Sequence, residues 1–229
     1  PCVRRTGVII PPMPKDSLER LKEGNARFVA GEPSRVRFDP ARLREAARGQ
    51  KPFAAILACS DSRVPVEFVF DQGVGDLFVV RTAGNTAGGH EVASLAFAVS
   101  VLKTPVVVVM GHTLCGAIRS AICPGRTIDE LSPIMDEICP AARRVPGADR
   151  PNPGQDVIDQ VARAHVSDVL ELLIGRSPVL RDAIADGSCR AVGALYDTCS
   201  GRVEFIDDAP TPTPRVSVRA PAPPLRGRG

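Results

Sequence analysis

Residues 56–64 read ILACSDSRV: an apolar run that ends in a cysteine, a serine, an aspartate and an arginine. Charges at the end of a buried segment are costly unless partners consume them, so this stretch sets both the fold and the search for a site. Read from Pro52, the run PFAAILAC has no polar alternation. Two more runs share its character, DLFVVRTAG at 76–84 and TPVVVVMGH at 104–112. Short, continuous Val/Ile/Leu/Phe segments suit strands covered on both faces of a parallel sheet. HEVASLAFAVSVLK, 90–103, lies between the second and third and reads as a crossover helix, and LCGAIRSAI, 114–122, begins another.

Outward from these strands the pattern becomes helical. PKDSLERLKEGNARFVAGEP, 14–33, places Leu18, Leu21, Asn25 and Phe28 on one face, with Asp16 and Ser17 as capping residues and Gly31 and Pro33 as stops. A short helix is expected around DPARLREAARGQ. A long one follows in QDVIDQVARAHVSDVLELLIGRSP, with Ile158, Val161, Val169 and Leu172 at helical spacing, and a last one in SPVLRDAIADG. CRAVGALYDTCSGRVEFI, 189–206, reads as two strands about a turn at Ser200–Gly201. The expected fold is α/β: a mainly parallel central sheet flanked by helices, with an N-terminal helical arm and a disordered C-terminal tail. The expected boundaries are 1–14 for a flexible N-terminal segment, 15–208 for the folded domain and 209–229 for the tail.

Composition narrows the function. An apolar content of 44% supports a real core, whereas aromatics at 4% with no tryptophan leave little for stacking on bases. The net charge of +3 is outweighed by Arg215, Arg219, Arg226 and Arg228 in the Pro-rich tail, so nucleic acid is not an expected partner. No run approaches the roughly 20 apolar residues of a membrane span. VRRTGVIIPPMP near the start has too short an apolar patch for a signal peptide, and a start at Pro1 leaves room for a preceding segment. Seven cysteines without framework spacing favour thiols or metal ligands in a reducing, cytoplasmic setting.

The partner for Cys59 comes from the third strand, which ends MGHTLCGA and supplies His112 and Cys115. Parallel strands present their C-terminal ends at one edge, where open α/β sheets hold ligands. One imidazole and two thiolates form a three-ligand zinc set with a fourth position open. Two thiolates offset the metal charge, so the site needs local help. Asp61, kept ionised and oriented by Arg63, can accept a hydrogen bond from the nucleophile and aim its lone pair at a substrate. The remaining cysteines have simpler readings: Cys123, Cys139, Cys189 and Cys199 as core residues, Cys2 as a terminal thiol. His165 falls on an apolar helix face and reads as packing. His90 reads as solvated, with a proton shuttle as its other reading.

ACSDSRV followed by GHTLCGA resembles the β-class carbonic anhydrases. The similarity runs from about Lys15 to Ile206 and includes LKEGNARFVAG, GDLFVVRTAGN and GALYD…GRVEF. The resemblance implies a zinc enzyme for reversible hydration of carbon dioxide to bicarbonate, with one zinc per chain on Cys59, His112 and Cys115 and a catalytic dyad of Asp61 and Arg63. It implies a substrate pocket at Gln50, Phe78, Ala83 and Gly116, in the manner of the plant-like branch. Phe97 stands where that branch has a tyrosine, which removes a hydrogen bond and keeps an apolar wall. With no tryptophan, an inhibitory bicarbonate site built on that residue in another branch has no counterpart. A homodimer or dimer of dimers is implied, with the N-terminal helix packed on the partner, and an arrangement in which Asp61 stays on Arg63. Three rivals stand beside this reading: hydrolysis of a carbon dioxide analogue such as carbon disulfide or carbonyl sulfide, a catalytically silent zinc protein acting as a sensor or structural module, and a regulatory or delivery domain cut from a larger transporter chain.

Overall fold

The computed structural model describes residues 14–34, 40–123 and 128–208. The expectations for Cys2, for the segment before Pro14 and for the tail from 209 lie outside the described residues. Five strands form one sheet: β1 (Ala54–Cys59), β2 (Leu77–Thr82), β3 (Val106–His112), β4 (Arg190–Tyr196) and β5 (Val203–Asp208). Their order is β2-β1-β3-β4-β5. The first four are parallel to one another and β5 runs antiparallel to β4.

Two apolar layers account for the unalternated strands. Ala55 and Leu57 of β1 and Val107 and Val109 of β3 face one layer, with Leu95, Val166, Val169 and Leu173. Ala54, Ile56 and Ala58, with Val106, Val108 and Met110, face the other, with Leu18, Leu21 and Phe70. The first layer is covered by α4 (Gly89–Ser100), α7 (Gln155–Arg176) and α8 (Pro178–Ala185). The second is covered by α1 (Pro14–Ala30) and the short α3 (Val66–Val69). The remaining helices are α2 (Pro40–Ala46), α5 (Gly116–Ile122) and α6 (Ser132–Ala142). No helix among the described residues is long and apolar enough to cross a membrane.

The helices differ from the sequence reading in two places. Helix α1 begins at Pro14, so Asp16 and Ser17 lie inside its first turn instead of capping it; a proline is well suited to a first helical position. The apolar stripe of α1 is laid on this chain's own sheet, where Leu18 and Leu21 are buried. Helix α6, Ser132–Ala142, has no counterpart in the sequence reading, although it holds two prolines, Pro133 and Pro140. Pro133 sits in the first turn, where its missing N–H costs nothing, and Pro140 lies near the helix end.

Candidate metal centre

Register brings the two motifs together. Ala58 of β1 is level with Met110 of β3, so Cys59 and His112 emerge together at the C-terminal edge of adjacent strands. The chain then turns through Thr113 and Leu114 to deliver Cys115 just before α5. The two sulfurs are 4.0 Å apart. They and the imidazole nitrogen lie within 4.8 Å of one another, all three residues buried. Two thiolates on a tetrahedral zinc stand about 3.8 Å apart, from Zn–S bonds of about 2.3 Å.

The imidazole is prepared for a metal. His112 Nδ1 is 2.9 Å from the Thr113 carbonyl oxygen. That oxygen only accepts, so Nδ1 carries the proton and Nε2 keeps its lone pair. Nε2 is buried with no hydrogen-bond partner, an expense unless a cation takes it. The two sulfurs are in hydrogen-bond contact, and either can donate. The hydrogen bond from Cys115, helped by the backbone amides of Asp61 and Gly84, lowers the Cys59 thiol to about 4 against the opposing effect of burial. The same contact, with burial, pushes Cys115 up. A cation would draw off the Cys115 proton, since metal-bound cysteines are thiolates. Donor set, spacing and the bare nitrogen all fit zinc.

Asp61 stands beside this cluster, with Oδ2 4.0 Å from His112 Nε2. Arg63 donates to it three times: from its backbone N–H and Nε to Oδ1, both at 2.9 Å, and from Nη2 to Oδ2 at 2.7 Å. The guanidinium holds the Asp61 carboxyl well below the usual carboxylate range. Arg63 is itself tied by a 3.0 Å bond from Nη2 to the Leu114 carbonyl. Leu114 has φ +59, a left-handed conformation that costs a branched side chain energy. Its amide donates to Asp159 Oδ1 of α7 at 2.9 Å, so the strained residue is held from both sides. Arg81 of β2 clamps the other side of the loop, donating from Nε to the Cys59 carbonyl at 3.0 Å and from Nη2 to the Asp61 carbonyl at 2.6 Å.

Arg81, Asp159 and Leu114 were missed in the sequence. The arginine left a signal, a lone charge inside LFVVRT, whereas a left-handed leucine leaves none. Of the expected pocket residues, Ala83 follows β2 at the cluster's edge and Gly116 opens α5 with free space where a Cβ would stand. The other three are elsewhere. Gln50 lies four residues before β1, whose first residue, Ala54, is roughly 17 Å from Cys59 at the other end of the strand. Phe78 pairs with Ala55, four residues short of Cys59 along the strand, and packs against Phe97 with ring centroids 6.3 Å apart. His90 is exposed at the start of α4. The six cysteines of the described residues are free thiols.

A family model described as carbonic anhydrase matches residues 54–203. Carbonic anhydrase 2 of Mycobacterium tuberculosis is 36% identical over 203 residues, covering 85% of this chain and 93% of the relative. The carbonic anhydrase of Mycolicibacterium smegmatis is 36% identical over 201 residues, covering 84% and 93%. Among solved structures, a tetrameric β-carbonic anhydrase of Sordaria macrospora superposes with a TM-score of 0.67 at 25% identity, over 73% of this chain and 87% of its own. The β-carbonic anhydrase CafA of Aspergillus fumigatus does so at 0.67 and 25%, over 87% and 92%. With the same sheet edge carrying the Cys-His-Cys cluster and the Asp61–Arg63 pair, the chain belongs to the β-class carbonic anhydrase family.

Proposed function

We propose that the protein is a zinc enzyme interconverting carbon dioxide and bicarbonate, with Cys59, His112 and Cys115 as the metal ligands. The observation that carries this is the bare, buried Nε2 of His112 facing two sulfurs, next to a carboxylate that a guanidinium holds ionised. Structural zinc needs no such charge pair, which argues against a silent zinc module. Bound zinc would supply a water-derived nucleophile near neutral pH. Asp61 can only accept hydrogen bonds, so it favours a protonated oxygen beside His112 and turns that oxygen's lone pair away from itself, towards substrate. Arg63, tied to Leu114, keeps Asp61 in that orientation and away from the ligand cluster. Gly116, with no side chain, lets a substrate oxygen approach its backbone amide, and Ala83 leaves the pocket small.

Gln50, Phe78 and Phe97 complete the pocket only if a second copy supplies them, because within one chain they stand back from the C-terminal edge. This supports a homodimer, or dimer of dimers, built on the β2 edge, whose Leu77, Phe78, Val79 and Val80 are only half-buried. Free thiols throughout the described residues fit a reducing compartment, and we place the enzyme in the cytoplasm.

The test is stopped-flow carbon dioxide hydration on protein analysed for metal. One zinc per chain and rapid hydration are expected, and Cys115→Ser should lose both. Full zinc in Cys115→Ser would remove the ligand assignment. A zinc-loaded protein that leaves carbon dioxide untouched but hydrolyses carbonyl sulfide or carbon disulfide would move the substrate to an analogue.

A further inference from the structure

His165 is fully buried on α7 among apolar residues, yet packing alone does not require an imidazole. Its Nε2 lies 3.0 Å from the Gly84 carbonyl oxygen. A carbonyl only accepts, so Nε2 carries the proton; a neutral imidazole has one N–H, so Nδ1 is a bare acceptor. Nδ1 is buried with no partner. A leucine in this place would avoid that cost.

What the ring holds is a strained turn. In the 3-10 turn Ala83–Asn85, Gly84 has φ +69 and Asn85 φ +47, two left-handed residues in succession. A Cβ on Gly84 would also meet Ile138 Cδ1 at 3.0 Å and Ala117 Cβ at 3.2 Å. The turn is clamped at three carbonyls: Thr82 Oγ1 donates to Thr86 O at 2.7 Å, Thr86 Oγ1 to Ala83 O at 3.2 Å, and His165 to Gly84 O. Clamped in this way, Gly84 aims its backbone N–H at Cys59 Sγ, 3.3 Å away.

We propose that His165 is a positioning residue for the metal centre, holding the Gly84 turn so that its amide hydrogen-bonds the Cys59 sulfur and sets how strongly that thiolate binds and donates to the metal. The inference rests on the zinc reading above and assigns His165 a role in it. An N–H donor on a thiolate withdraws electron density from sulfur, and partners one layer beyond a metal ligand change metal affinity by roughly 10- to 100-fold.

The test uses full-length protein loaded with cobalt, whose sulfur-to-metal charge-transfer absorption reports electron density on the thiolates. His165→Leu should move that absorption to lower energy and weaken metal binding roughly tenfold in chelator competition. His165→Gln, whose Nε2 can still donate to Gly84, should restore both towards wild type. A histidine kept for packing alone would give His165→Leu a changed melting temperature with wild-type absorption and affinity, and that result overturns the proposal. A second measurement needs no variant. In wild-type protein loaded with an NMR-active cadmium isotope, the Gly84 amide proton should couple to the metal through the hydrogen bond, and its failure to do so overturns the proposal as well. A wild-type protein that takes no metal on Cys59, His112 and Cys115 overturns the zinc reading itself, whereas bound metal with an indifferent His165 sinks only this inference.

Discussion

Asp61 and Arg63 are two residues apart, and their geometry is local: a bidentate contact reinforced by the arginine's own amide. Asp61→Asn preserves shape but replaces an acceptor with a group that also donates, and it loosens the charge that holds Arg63. Zinc content should be unchanged and turnover should fall by about 10²-fold, the scale of losing a positioned acid–base group. Arg63→Ala should do similar damage. Wild-type hydration in both variants would make the pair a bystander. His165 carries a separate prediction about stability. Burial pushes its imidazole down to about 4 from 6.5, against smaller opposing effects of the Gly84 bond and Asp168. The folded state refuses a proton that the unfolded chain takes up below about 6.5, so stability is full above that pH and falls as pH drops towards 4. The loss is about 3 kcal/mol. Urea unfolding at pH 7 and pH 5 should show a smaller drop for His165→Gln than for wild type, a comparison that cancels acid release of metal common to both. Equal drops would contradict the assignment.

At the scale of elements, α1 is fastened by two features that differ in legibility. Leu18 and Leu21 announce an apolar face at helical spacing. Asn25 shares that face, but its purpose depends on residues far along the chain. Its Nδ2 donates to Val69 O at 3.0 Å and Gly201 O at 2.9 Å, and its Oδ1 accepts from Val203 N at 2.9 Å. One amide thus joins α1 to the end of α3 and to the turn before β5. Asn25→Ala should destabilise the fold by about 3 kcal/mol, because it strands buried backbone groups. Equilibrium unfolding in urea with a midpoint like wild type would refute this. Just before it, Gly24 lets α1 sit against Phe70, where a Cβ would fall 1.8 Å from the carbonyl oxygen.

For the whole molecule the open question is the β2 edge. A half-buried, apolar edge strand invites pairing, and Phe97 and Val101 of the adjacent α4 region are 44% and 59% exposed. Placing a charge there with Phe97→Glu should shift the protein towards monomer in light scattering. The hydration rate per chain should fall by at least tenfold while zinc is retained, because a lone chain does not bring Gln50, Phe78 and residue 97 to its own metal cluster. A stable oligomer with full activity would show that the interface lies elsewhere.

What the sequence determined by itself is what local chemistry and periodicity can carry. The parallel strands were legible because burial on both faces demands uninterrupted apolar runs, and the Cys-His-Cys cluster because Cys-x-Asp-x-Arg and His-x-x-Cys each close a strand. Tertiary structure decided what depends on register and long-range approach. Strand pairing, with Ala58 level with Met110, brings Cys59 and His112 out at the same sheet edge. A left-handed Leu114, held between Asp159 and Arg63, orients the dyad, and a turn held by His165, 81 residues away, reaches the Cys59 sulfur. Gln50 and Cys59 lie nine positions apart in sequence, but Gln50 precedes the start of β1 and Cys59 ends it. Spacing along a chain cannot reveal such separation until the strand itself is formed, since about 3.3 Å of rise per residue then fixes it.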